Sequence, residues 1–245
     1  SAVFLLAGLL RKDGIAGIGK DDFRLDTEIV ARILKIGVPT GVQMAVFAIA
    51  NMIIQAAVNS LGTTVMAASS AAFNIEVFAY YVLSSFSQAC TTFTGQNFGA
   101  GNIKRCRRVL KNCILEDLIC TALSIFLILI LGRQILSLFN PDEEVVANGY
   151  TRLIWIFSAY TFSMLYENIA GYLRGFGISL IPAVLTVLGV CGVRIAWIGT
   201  VFKTYRTFPS ILSAYPVSMA VTAVFMIAAV LVLRPSRKYG EDSRD

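Results

Sequence analysis

Val65–Phe93 reads VMAASSAAFNIEVFAYYVLSSFSQACTTF, the turn after it runs TGQNFGAGNIKRCRR to Arg108, and Val109–Leu131 reads VLKNCILEDLICTALSIFLILIL. A helix needs about 20 mainly apolar residues to cross a bilayer. Two such runs, joined by glycines and a knot of lysine and arginine, are two membrane spans meeting on the side where bases collect. Working outward, four more runs qualify: Ile33–Leu61, Ala147–Tyr172, Leu180–Phe202 and Ile211–Leu233. Most end at or near Gly, Pro, Asn or a charge cluster, as helix boundaries should. Ala2–Leu10 is apolar but too short to span, and it lacks the basic start of a signal peptide. It is expected to be the tail of a helix that begins before Ser1.

Composition agrees. Hydrophobic residues make up 56% of the 245 and charged residues 15%, and the mean hydropathy is +0.71. That leaves too little polar surface for a soluble domain of this length. The net charge of +6 would suit a nucleic-acid binder. The bases, however, sit in short clusters between apolar runs, so no nucleic-acid partner is expected and the lipid bilayer is. Histidine is absent, which removes the commonest metal ligand and general base. No G-x-S-x-G, H-E-x-x-H or paired intramembrane aspartates appear, so neither an enzyme nor a metal site is expected.

The bases also orient the spans. Sixteen lie in connections on one side: Arg11, Lys12, Lys20, Arg24, Arg32 and Lys35, then Lys104–Lys111, Arg174, and Arg234–Arg244. Arg133, Arg152, Lys203 and Arg206 lie in connections on the other. The positive-inside rule then makes the linker and the C-terminus cytoplasmic. On the outer side, Arg133–Asn140 is expected to be a short amphipathic surface helix. Asn140–Glu144 reads as a turn whose acidic residues suit a helix N-terminus.

Two patterns mislead. Gly14–Lys20 matches the first seven positions of a phosphate-binding loop, but Asp21 stands where a Ser or Thr must ligate magnesium. Cys106, Cys113 and Cys120 share one helix face, yet lie about 10 Å apart, too far to share a metal. With Cys90 and Cys191 they read as packing residues.

Polar side chains are costly inside a membrane and therefore informative. The first span carries Gln43, Asn51, Gln55 and Asn59 after Gly37, Pro39 and Gly41, a pattern for a close crossing or a hinge. The second carries two polar lines: Ser70, Asn74, Tyr81, Ser84 and Gln88, and, roughly 100° away, Ser69, Glu76, Tyr80 and Ser87. A helix with two such lines belongs inside a bundle, beside a cavity. The fourth holds Glu167 with Tyr160, Ser163, Gly171 and Arg174 on its face. Glu167 and Arg174, two turns and about 10 Å apart, are not expected to pair. A carboxylate about 10 Å into the bilayer could exchange protons near neutral pH. Glu116 and Asp117 are expected to pair with the Lys104–Lys111 cluster. Arg194, in the fifth span, is expected to snorkel outward or to pair with a carboxylate across the bundle.

One combination of motifs resembles a known family. Gly95-Gln96-Asn97-Phe98-Gly99-Ala100-Gly101-Asn102 followed by Lys104-Arg105 is similar to the segment that closes the second helix of a lobe in multidrug and toxic compound extrusion (MATE) transporters. Gly37-Val-Pro39-Thr-Gly41-Val-Gln43, Leu173-Arg174-Gly175-Phe-Gly177-Ile-Ser179 and Arg194-Ile-Ala-Trp197-Ile198 fit the second lobe, and the match runs from about Asp26 to Arg234. The resemblance implies an all-α polytopic membrane protein whose six transmembrane helices form one lobe of a two-lobe (6+6) transporter. Residues 1–10 would end a preceding transmembrane helix, 11–32 would be the cytoplasmic inter-lobe linker, 33–233 the lobe and 234–245 a cytoplasmic tail. The partner would be the N-terminal six-helix lobe of the same protein, in the plasma membrane.

The implied activity is export of small organic, often cationic, compounds in exchange for protons or sodium, with no cofactor beyond the coupling ion. Gln43, Asn51, Asn74, Tyr81 and Gln88 would line the cavity, with Glu167 and then Glu76 as coupling carboxylates. In some branches a carboxylate soon after G-x-P-x-G binds the cation. Here that stretch is Ala45-Val46-Phe47-Ala48, without an acid. The alternative is a lipid-linked sugar flippase of related architecture, though such proteins tend to have a strongly basic cavity. A receptor or interaction module made of one lobe is a third reading, which the lack of a soluble domain disfavours.

Overall fold

A computed structural model describes residues 26–236, apart from the side chains of Arg32 and Ile36. Ala2–Leu10, the phosphate-loop look-alike, most of the linker and the end of the tail lie outside the described residues. Asp26 opens the first helix, its carboxylate accepting from the Glu28 and Ile29 amides at 2.9 and 3.2 Å. That helix, α1, covers Thr27–Asn59 and so takes in residues 27–32, assigned above to the linker. Next come α2 (Thr63–Gly99) and α3 (Ile103–Phe139), 37 residues and about 55 Å each. Both outreach a hydrocarbon layer of about 30 Å. Arg133–Asn140 is therefore not a separate surface helix. Gly132, directly after Leu131, stays helical and lets Tyr150 and Leu153 pack close, so α3 continues to Phe139, steadied where the Tyr150 hydroxyl donates to Leu129 O at 2.9 Å.

The acidic turn behaves as expected, with Asp142 accepting from the Glu144 amide at 2.8 Å. The fourth span then departs from a single helix: α4 (Glu143–Ser158) and α5 (Tyr160–Gly175) meet at Ala159. At 16 residues neither crosses alone, and five helices of the described residues are long and apolar enough to cross individually. The fifth span, α6 (Leu180–Phe202), contains two wider π-type stretches, Val187–Gly192 and Ile198–Phe202. The last span is a short α7 (Phe208–Leu212) running into α8 (Ala214–Leu233).

The long helix α2 is the spine, packed on α3, α4 and α5, while α5 also packs on α3 and α8. Leu83, Leu153, Phe157, Leu173, Ile211 and Met226 fill the shared core. α1 is peripheral and leans mainly on α6. Nothing lies near where a Cβ on Gly37 or Gly41 would stand, so the expected close crossing there is not made within this lobe.

Two turns at the end bearing Lys104–Lys111 share one device. After α2, the Gly101 amide donates to Phe98 O and the Asn102 amide to Asn97 O, at 3.0 and 2.8 Å. After α5, the Gly177 and Ile178 amides donate to Arg174 O and Leu173 O at 2.9 and 3.0 Å. Each is a Schellman cap, whose closing residue must be left-handed. Gly101 and Gly177 supply φ of 73° and 77°.

Candidate functional site: an interior polar network

Glu76 on α2 faces Arg152 on α4, and both carboxylate oxygens are used: Arg152 Nε donates to Oε1 at 2.6 Å and Nη2 to Oε2 at 2.9 Å. The bidentate geometry matches guanidinium to carboxylate, and the pair is nearly sealed, with side-chain exposures of 5% and 12%. Arg152 is thus not a surface base in a connection. It lies inside the lobe, where its Nη2 also reaches the Tyr215 hydroxyl at 3.4 Å. Tyr215, on α8, is flanked by a second arginine: the Arg194 guanidinium sits 4.3 Å from its ring centroid. Arg194 donates from Nε to Ser218 Oγ at 3.0 Å and is buried. It does not snorkel, and among the described residues it finds no carboxylate, because an aromatic face and a hydroxyl on α8 reach it first.

Glu167, on α5, has a looser partner. Arg174 Nη2 stands 3.5 Å from its Oε2, so the expectation that these two would not pair is corrected. Positions seven apart share a face, and an arginine side chain is long enough to close two turns. The same Nη2 donates to Ser87 Oγ at 3.1 Å, and Ser87 donates to Glu167 O at 2.7 Å. This α2–α5 contact needs glycine. A Cβ on Gly171 would run into the Ser87 carbonyl, and one on Gly175 would stand 2.6 Å from Thr94 Cβ.

Asp117 makes the third carboxylate of the interior. It was expected to meet the bases of the α2–α3 turn, but six residues along a helix from Lys111 put it about 120° around the axis. The stripe it joins is the buried one, Cys106, Cys113, Asp117, Thr121, Ile128. There it is wholly buried, receiving Asn168 Nδ2 at 2.5 Å and Thr121 Oγ1 at 3.2 Å. Glu116, its neighbour, is exposed and forms no ion pair with the cluster. Asp117, Arg152 and Tyr215 were missed as interior partners. The spacing of Asp117 from Cys113 and Thr121 was the available signal for the first.

The expected cavity residues lie elsewhere. Asn74, Tyr81 and Gln88 run along one exposed face of α2, with Ser70, while Ser84 is half-buried. Asn74 Nδ2 donates to Ser70 O at 3.0 Å and Gln88 Nε2 to Ser84 Oγ at 3.4 Å, which leaves their other amide ends outward. Asn51 is exposed on α1 and Gln43 half-buried. No hydrogen bond among the described residues joins the α1 amides to the α2 amides. Of the second polar line of α2, Ser69 and Ser87 are buried and Glu76 is paired inside, while Tyr80 stays exposed. Of the turn motif, Gly95 lies under the Gly175 carbonyl, Asn97 Nδ2 donates to Phe93 O at 2.8 Å, and Gln96 and Gly99 are exposed.

Comparison with known proteins places this arrangement. Residues 39–198 match the family model described as MatE. The chain is 23% identical over 205 residues to "Probable multidrug resistance protein YoeA" of Bacillus subtilis, covering 83% of this chain and 44% of that protein. It is 28% identical over 176 residues to "Probable multidrug resistance protein YpnP" of the same organism, covering 69% and 40%. Among solved structures, "Crystal structure of MATE in complex with MaL6" superposes with a TM-score of 0.86 at 18% identity, over 97% of this chain and 54% of the other. The chain spans about half the length of the relatives it matches.

Proposed function

Because the chain belongs to the MatE family, we propose that it works as the C-terminal six-helix lobe of a secondary transporter that exports organic, often cationic, compounds in exchange for protons or sodium. Residues 27–233 act as the lobe, the stretch before Asp26 as the linker to an N-terminal six-helix lobe, and 234–245 as the tail. The basic end of the helices faces the cytoplasm and the protein works in the plasma membrane. The coupling ion is the only cofactor, and no covalent chemistry is involved. The multidrug-resistance names of the relatives support this reading, and the lipid-linked sugar flippase is not favoured.

The carrying observation is the contrast between two carboxylates. Glu76 is clamped by both nitrogens of a sealed arginine, whereas Glu167 meets Arg174 through one contact at 3.5 Å. A coupling ion can replace Arg174 at Glu167 without stranding a buried charge, because Arg174 keeps Ser87 and is 23% exposed. Glu76 serves better as the counter-charge of Arg152. Alternating access follows if the ion and the organic substrate favour opposite states of the lobe pair, since only differential affinity shifts an equilibrium. The exposed amides of Asn74 and Gln88 beside Tyr81 offer the substrate hydrogen bonds and an aromatic face.

Efflux of a cationic dye from cells expressing the gene tests this. Efflux should rise with an imposed proton or sodium gradient, and Glu167→Gln should abolish that dependence. A Glu167→Gln protein that keeps full gradient dependence rejects the assignment.

A further inference from the structure

Among the described residues, the interior holds three carboxylates and three arginines, and they are unequally matched. Glu76 has Arg152 and Glu167 has Arg174. Asp117 has no cation within 4 Å among the described residues; its partners are an amide and a hydroxyl. An ionised carboxylate with no solvent exposure and no counter-charge is costly to keep.

Asn168, beside it, is unbalanced in the complementary sense. Its Nδ2 serves two acceptors, Asp117 Oδ2 at 2.5 Å and Met164 O at 3.0 Å. Its Oδ1, equally buried, has no donor. The 2.5 Å separation is shorter than an ordinary N–H···O contact and lies within the range of O–H···O. One added proton answers both deficits. It removes the charge on Asp117, and the amide, by turning, can accept the new O–H on Oδ1.

We propose that Asp117, read by Asn168 and Thr121, is a proton-binding site inside the lobe, separate from Glu167. The groups around it fit a proton. Glu167 and Tyr160 act on it from the fourth span, Glu167 already engaged by Arg174 and the Tyr160 hydroxyl without a partner. Cys113 lies on its own helix one turn away, with Cys90 of α2 beyond it. None of these groups is a cation. Asn168 adjoins Glu167 on α5, so α5 is held through Asn168 toward α3 and through Glu167 and Arg174 toward α2. Protonation of Asp117 exchanges a charge-assisted N–H···O contact for a neutral O–H···O one with the amide turned, and so resets the first hold on α5 relative to the second. The link from Asp117 to transport rests on the coupled-export reading, whereas the proton site itself does not.

Infrared difference spectra of the purified protein, recorded between acidic and alkaline pH, test the site without transport. The wild type should show a protonated-carboxyl band that Asp117→Asn loses and Glu167→Gln keeps. A spectrum unchanged by Asp117→Asn overturns the proposal. So does a band that responds to sodium in place of choline at constant pH. If Asp117→Asn fails to accumulate, Thr121→Val and Asn168→Leu should each shift the band by removing one hydrogen-bond partner, and an unshifted band in both overturns it. Dye efflux in the same variants reads the coupling separately. A wild type with the band but without gradient-driven efflux rejects coupled export while supporting the proton site.

Discussion

Glu76→Gln removes the counter-charge of Arg152 and one of its two acceptor oxygens, leaving the buried guanidinium with a neutral amide oxygen and the Tyr215 hydroxyl. Breaking one side of a sealed pair costs about 3 kcal/mol or more. The variant should therefore unfold in detergent at a clearly lower temperature than the wild type. Glu167→Gln, beside a partly exposed Arg174 that keeps Ser87, should unfold close to the wild type. Equal melting of Glu76→Gln and wild type would reject a structural role for the pair. At this scale the sequence shows which residues are costly but not whom they meet. Arg152 reads as a boundary base because it lies near the start of an apolar run, and only the approach of α2 turns it inward. Asp117 reads as a partner of the basic turn because Lys111 is near along the chain, although the helix rotates it to another face. Arg174 reaches back to Glu167 because its side chain covers a distance that backbone rise alone does not.

Helix ends were more legible, because capping chemistry is local. The glycines of the turn after α2 look alike in sequence but do different work. Gly101 is left-handed, so Gly101→Ala should cost about 1–2 kcal/mol. Gly99 is helical with open space beside it, so Gly99→Ala should be neutral or stabilising by up to roughly 1 kcal/mol. Thermal unfolding of the two variants should move in opposite directions or leave Gly99→Ala unchanged, and a matching loss in both would reject the cap assignment. The six spans were visible as apolar runs, and the turn at Asn140–Glu144 as an acidic N-terminus. The break at Ala159 was not, since alanine is the best helix former and Ser158-Ala159-Tyr160 carries no stop signal. The structure shows the break without a local cause. The continuation of α3 past Leu131 was missed because Arg133 and Gln134 look like a surface face, and a helix that outlasts the bilayer needs no apolar residues there.

For the whole molecule, the proposed topology puts the basic turn after α2 on the cytoplasmic side and the far end of α3 outside. A cysteine placed at Leu138, which is 85% exposed near the far end of α3, should react with a membrane-impermeant maleimide added outside intact cells. A cysteine at Arg105 should react only after the cells are opened. The reverse pattern would invert the lobe. The six membrane spans were legible from composition and spacing, and the lobe only through the family resemblance. The interior network was not, because it is assembled from α2, α3, the two halves of the fourth span, α6 and α8, residues far apart along the chain.

The split fourth span also bears on how the protein is made. Arg152 follows Glu76 by 76 residues. At about 5–20 residues per second of synthesis, Glu76 spends roughly 4–15 s in the nascent chain before its partner exists. What arrives then is a segment in two halves, each too short to cross alone and burdened with Arg152, Glu167 and Asn168. Such a segment is retained by what is already there: Glu76 for its arginine, Ser87 for the stretch around Glu167, and Asp117 for its asparagine. The polar groups of the second and third spans are in this sense a landing site, and the order of the chain ensures that the site is laid down before the segment that needs it.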